Sequence, residues 1–118
     1  MSITTHVLNT ASGLPGEGID VVLEFQTGGS TPHKEEWTQV ASGVTNSDGR
    51  VPDFVPKEQA LAPGTYRITF DTAGYFKKLD MPSFYPYAAI VFEMNEPDSH
   101  YHVPLLISGF GFSTYRGS

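Results

Sequence analysis

Side chains suited to water chemistry stand at three places in this chain: His6 in "THVLNT", Arg50 directly after the turn "NSDG", and the pair His100 and His102 in "HYH". An imidazole ionises near pH ~6.5 and can take a proton from water at neutral pH. A guanidinium presents a planar fork of donors that suits a carbonyl or amide edge. His100 and His102 are two residues apart, so on a strand both point the same way. With His6 they could form a three-histidine zinc site of the catalytic type, although such pairs often arise by chance and no acidic residue is obviously placed to orient the rings. Taken singly, His6 reads as a surface or half-buried histidine and Arg50 as a solvated charge.

Other chemistries have less foothold. No G-x-S-x-G occurs; the nearest approach, "GFSTY" at 111–115, lacks the final glycine. Neither a phosphate-binding loop nor a dinucleotide fingerprint nor a paired-carboxylate motif is present. The chain has no cysteine, which removes thiolate nucleophiles, thiolate zinc sites and disulfides together.

The elements that must hold these residues are strands. Val21, Leu23 and Phe25 alternate with Val22, Glu24 and Gln26; Tyr66, Ile68 and Phe70 with Thr65, Arg67 and Thr69; Ile90, Phe92 and Met94 with Val91, Glu93 and Asn95. Turn-forming clusters separate them at 12–18, 27–32, 46–49, 61–64 and 95–98. This spacing predicts one all-β domain over residues 1–118, a sandwich or barrel of seven or eight short strands. Segments 56–62 and 72–80 have short helical character, bounded by Pro63 and Pro82. The strand at 101–109 is unusual. Tyr101, Val103, Leu105 and Ile107 share one face while His102, Pro104 and Leu106 share the other, so both faces are largely apolar. A second subunit covering the outer face is the simplest reason, and it places His102 at an interface.

The formal charge of −6, with no basic run, repels a phosphate backbone, and nucleic acid is not an expected partner. No stretch approaches the ~18 consecutive apolar residues of a membrane span, and "MSITTHVLNT" lacks the basic and apolar regions of a secretion signal. A cytoplasmic location is the expectation, with the peroxisome the alternative in a eukaryote, although "RGS" is not a Ser-Lys-Leu type terminus.

Chain ends usually tolerate any sequence, yet this one finishes on Tyr115, Arg116, Gly117 and Ser118. That "YRGS", with "HVLNTASGLPGEGI" at 6–19, "NSDGR" at 46–50 and "YHVPLLISGFGFSTYRGS" at 101–118, resembles the 5-hydroxyisourate hydrolases of the transthyretin-like family. The likeness runs from about residue 4 to residue 118. It implies a transthyretin-like β-sandwich of about eight strands with one short helix, assembled as a homotetramer, a dimer of dimers with active sites in a central channel. It further implies a small-molecule substrate, 5-hydroxyisourate, and no metal or other cofactor. By matching position, catalytic roles fall on His6, Arg50 and His102, and substrate contacts on His6, Arg50, Tyr115, Arg116, Gly117 and Ser118; His100 matches no catalytic position. Which histidine is the base stays open. Many members carry Ser-Pro where this chain has Ser108-Gly109, which changes a turn without removing any catalytic position. A non-catalytic small-ligand carrier of the transthyretin type is the alternative, and the carrier lacks this histidine, arginine and YRGS set.

Overall fold

A computed structural model describes residues 2–29, 34–56, 58–96 and 98–118. Parts of three expected features, residues 30–32 of one turn, Lys57 of the first helical segment and Pro97 of the last turn, lie outside the described residues.

Among the described residues eight strands and one helix occur in chain order: β1 (Ser2–Asn9), β2 (Leu14–Pro15), β3 (Asp20–Gly28), β4 (Glu36–Val44), β5 (Gly64–Phe70), α1 (Thr72–Lys78), β6 (Ala88–Met94), β7 (His100–Ser108) and β8 (Gly111–Thr114). They form two four-stranded sheets, ordered β2-β1-β7-β8 and β4-β3-β5-β6. The alternation in β3, β5 and β6 works as the sequence predicts, since Val21, Leu23, Ile68, Phe70 and Met94 are fully buried between the sheets. Ile3, Val7, Leu105 and Ile107 meet them from β1 and β7. Burying a side chain of this size stabilises the fold by about 1.5–3 kcal/mol relative to exposure.

The helix is short but well specified. Asp71 caps its start by accepting from the Gly74 amide at 3.1 Å. Lys77 and Lys78 sit in its last turn, where the helix dipole favours positive charge. Thr72, Tyr75 and Phe76 face the core at helical spacing. The Tyr75 hydroxyl accepts from Nδ2 of Asn9 at 3.0 Å, which ties α1 to the end of β1. The other candidate helix does not form among its described residues. Gln59 closes a turn onto the Pro56 carbonyl and donates through Nε2 to the Val40 carbonyl. Side-chain and turn bonds therefore replace a helical ladder between two prolines.

The pairing that positions the site is that of β1 with β7. The two strands run parallel in continuous register, Thr4 opposite His102 and His6 opposite Pro104. The inner faces of both strands are core, so Ser2, Thr4, His6 and Leu8 line up with His100, His102, Pro104 and Leu106 on the outer face.

Candidate functional site

Two devices bring further residues to this outer face. The first is the turn after β4. Asn46 Oδ1 accepts from the amides of Asp48 and Arg50 at 2.9 and 3.1 Å, the Asn46 amide donates to the Arg50 carbonyl at 2.7 Å, and Gly49 O accepts from the Val7 amide at 2.8 Å. Arg50 is thereby bridged antiparallel to His6. Gly49 permits this contact. Its φ is +77°, and a β-carbon there would collide with the Val7 carbonyl oxygen. Only glycine takes that conformation without steric cost.

The second device is the chain end. Beyond β8 the Gly117 amide donates to the His102 carbonyl at 2.8 Å, bridging the terminus to β7. The pleat alternates the last residues. Gly117 lies over His102 and Pro104, whereas Arg116 turns the other way and sets its guanidinium 4.7 Å from the centre of the Tyr101 ring, within cation–π range. Tyr101 is itself fixed, because its hydroxyl accepts from the amides of Asn95 and Glu96 at 3.2 and 3.0 Å.

Of the residues singled out in the sequence, His6, Arg50, His102 and Gly117 are therefore brought together. Strands ~4.8 Å apart and a two-residue offset of ~6.6 Å put His6 and His102 about 8 Å apart at the backbone, close enough for both rings to reach one small ligand. Tyr115 and Ser118 are exposed beside Gly117. Arg116 lies with its guanidinium over the Tyr101 ring, and together with His102 and Tyr115 it lines a cavity beside this group.

The histidines have partners that the sequence did not reveal. Thr4 Oγ1 lies 2.8 Å from Nδ1 of His102 and 3.0 Å from Nε2 of His100, and Ser2 Oγ bonds Nδ1 of His100. The two rings stack at 6.5 Å with 13° between their planes. Hydroxyls, not carboxylates, orient these imidazoles. Period two places Ser2, Thr4 and His6 on one face, but only the distant pairing with β7 shows what that face meets. Among the described residues no group of three histidine or acidic side chains is arranged to hold a metal ion.

Burial pushes the His102 pKa below its usual 6.5, and the charges of Arg50, His100 and His6 push the same way, against a hydrogen bond to the Thr4 backbone. His102 is thus kept neutral where an ordinary histidine would begin to protonate. The face combines an orientated imidazole, a second imidazole and a guanidinium carried on a backbone held by the Asn46 turn, which is the equipment for attack of water on a polar carbonyl.

Residues 3–117 match the HIUase/Transthyretin family. The chain belongs to that family. A 5-hydroxyisourate hydrolase of Mus musculus is 41% identical over 116 residues, covering 98% of this chain and 94% of the relative. Among solved structures, the 5-hydroxyisourate hydrolase of Klebsiella pneumoniae superposes with a TM-score of 0.82 at 32% identity, covering all of both chains. Sea bream transthyretin in complex with thyroxine superposes at 0.85 with 28% identity, covering 99% of this chain and 95% of that one. The HIUase/Transthyretin fold thus carries proteins named as hydrolases and a protein that binds a hormone, so the side chains on the outer face must decide between the two activities.

Proposed function

We propose that the protein hydrolyses 5-hydroxyisourate to 2-oxo-4-hydroxy-4-carboxy-5-ureidoimidazoline in urate catabolism. The observation that carries this reading is the joining of His6, Arg50, His102 and Gly117 on one sheet face by separate backbone bridges. Relatives named for this activity, 41% identical across almost the whole chain, support it.

His102 suits the role of base, because it is held neutral and its Nε2 has no protein partner among the described residues. Water's oxygen bonds to the ring carbonyl carbon while its proton passes to the imidazole, a contribution of about 10²–10⁴ in rate. Arg50 binds the carbonyl edge and stabilises the charge that develops on the oxygen. The C–N bond then breaks, its electron pair goes to the ring nitrogen, and that nitrogen takes the proton back from the imidazolium. His6 positions water or substrate, while Tyr115 and Ser118 wall the site.

The assembly we propose is a homotetramer in which this face lines a channel. Leu8 and Leu106 beside the histidines, together with the exposed rings of Phe110 and Tyr115, are the surface such packing would cover. Light scattering on the purified protein measures the mass directly.

The test of the function is to generate 5-hydroxyisourate in place with urate oxidase and to follow its ultraviolet decay with and without the protein. Accelerated decay supports the hydrolase. Unchanged decay from a folded protein would overturn it and favour the small-ligand carrier, for which the likeness to the thyroxine complex is the supporting observation.

A further inference from the structure

A hydroxyl has one proton to donate. Thr4 Oγ1 nevertheless stands within hydrogen-bonding distance of two imidazole nitrogens, Nδ1 of His102 at 2.8 Å and Nε2 of His100 at 3.0 Å. Both contacts are hydrogen bonds only if at least one nitrogen supplies its own proton, since Thr4 can accept from two rings but donate to one. His100 and His102 therefore cannot both accept from Thr4, and the state of one ring limits that of the other. Ser2 extends the constraint, since its hydroxyl pairs with Nδ1 of the same His100.

For neutral rings three arrangements satisfy every contact. In one, His102 donates from Nδ1 to Thr4, Thr4 donates to Nε2 of His100, and His100 donates from Nδ1 to Ser2. In the second, both rings donate to Thr4, His102 again from Nδ1, and Ser2 donates to Nδ1 of His100. In the third, Thr4 donates to His102, His100 donates from Nε2 to Thr4, Ser2 donates to Nδ1 of His100, and His102 is left with its proton on Nε2. The free nitrogen of His102 is Nε2, which makes no protein hydrogen bond among the described residues. A base must present a bare lone pair there.

We infer that Thr4, braced by His100 and Ser2, is the positioning residue that fixes His102 as the Nδ1–H tautomer and leaves Nε2 bare toward the site. This inference rests on the reading of His102 as the base. It gives His100 a task, that of bracing the Thr4 hydroxyl from its other side. It also accounts for an orienting system without a carboxylate: a hydroxyl accepting from Nδ1 sets the tautomer as a carboxylate would, without adding a negative charge that favours the imidazolium.

Imidazole ¹⁵N chemical shifts, measured at a pH where the rings are neutral, report which nitrogen carries the proton. The wild-type protein and the variants Thr4→Ser and Thr4→Val are compared. Valine keeps the branched shape on an outward-facing strand position, so the fold is spared. Wild type and Thr4→Ser should show His102 protonated on Nδ1, and Thr4→Val should lose that state. Turnover should follow, with kcat about tenfold lower in Thr4→Val, KM little changed, and most of the rate restored in Thr4→Ser, the rate equivalent of one hydrogen bond's net worth. Protonation on Nε2 in the wild type, or a tautomer indifferent to Thr4→Val, would overturn the inference. The nitrogen shifts are read without substrate, so a protein with the expected tautomer and no turnover would overturn the proposed function and leave the role of Thr4 standing.

Discussion

Gly117 lies against the edge of the His102 ring, where a β-carbon would overlap Cδ2 and stand 3.2 Å from Cγ. Pro104 Cγ, also at 3.2 Å, closes the other side of the same space. The ring is held by Thr4 and the terminus by the bond from the Gly117 amide to the His102 carbonyl, so neither yields without losing a hydrogen bond. The glycine of the terminal motif is thus a packing requirement of the imidazole.

Gly117→Ala should accordingly displace the ring or the chain end. Misplacement by about 1 Å at a reacting group can cost on the order of 10² in rate. We expect kcat/KM to fall at least tenfold while the melting temperature moves by little, because the hydrophobic core lies on the other side of β7. Wild-type kinetics in this variant would show that the contact has no part in catalysis.

Arg50 and Gly49 are neighbours with opposite tasks. The Arg50 amide and carbonyl make the turn with Asn46, while its guanidinium makes no protein hydrogen bond among the described residues; Gly49 supplies the close approach to Val7. Arg50→Lys should keep the fold and lower kcat by roughly 10²–10³, since a point charge does not replace a fork of donors to the developing oxyanion. Gly49→Ala should instead destabilise, by about 1–3 kcal/mol from the left-handed backbone alone. Thermal melts and turnover of the two variants separate the tasks, and an Arg50→Lys enzyme with normal kcat would remove the arginine from the mechanism.

Deleting Arg116 to Ser118 removes two contacts at once, the guanidinium over Tyr101 and the backbone of Gly117 over His102. β8 ends before them at Thr114, and its register with β7, Leu105 to Thr114 and Ile107 to Phe112, is untouched. The truncated chain should keep its circular dichroism and lose kcat/KM by about 10² or more. Full activity after deletion would end the idea that the terminus walls the site.

How much of this was legible beforehand depends on sequence distance. Alternation along β3, β5 and β6 is a local signal, and it identified the inward face, on which Phe25, Ile90 and Phe92 are only partly buried. The family likeness supplied His6, Arg50 and His102. By contrast β4 carries no clean alternation, because the register shifts twice against β3, and β2 is two residues inside what reads as a turn. Thr4 was invisible as a partner of His102, since 98 residues separate them and only the parallel pairing of β1 with β7 joins them. The contact of Arg116 with Tyr101 was likewise invisible, being a matter of strand register at residues 115–118. Gly109, which read only as a change of turn, meets a neighbour in the fold: its carbonyl accepts from the Phe84 amide at 2.8 Å, and a β-carbon there would stand 2.5 Å from the Pro82 carbonyl oxygen.

The lowered pKa of His102 has a definite sign in both activity and stability. Burial, then Arg50, His100 and His6, make protonation harder in the folded protein than the usual 6.5. As the pH falls, the unfolded chain therefore takes up the proton first, and stability present above about pH 6.5 is lost as the pH falls through the folded value. Base catalysis persists over the same interval, so the acid limb of kcat/KM should lie below pH 6.5. Replacing His102 with Asn should lower kcat by about 10² or more and flatten the fall in stability on the acid side. Charge and shape at Arg50 can then be told apart. Arg50→Lys retains the cation and should leave the acid limb in place, whereas Arg50→Gln should move it upward, by less than the whole displacement because burial is the larger cause. An acid limb above pH 6.5 in the wild type, or one that ignores Arg50→Gln, would mean that a group other than His102 governs the rate.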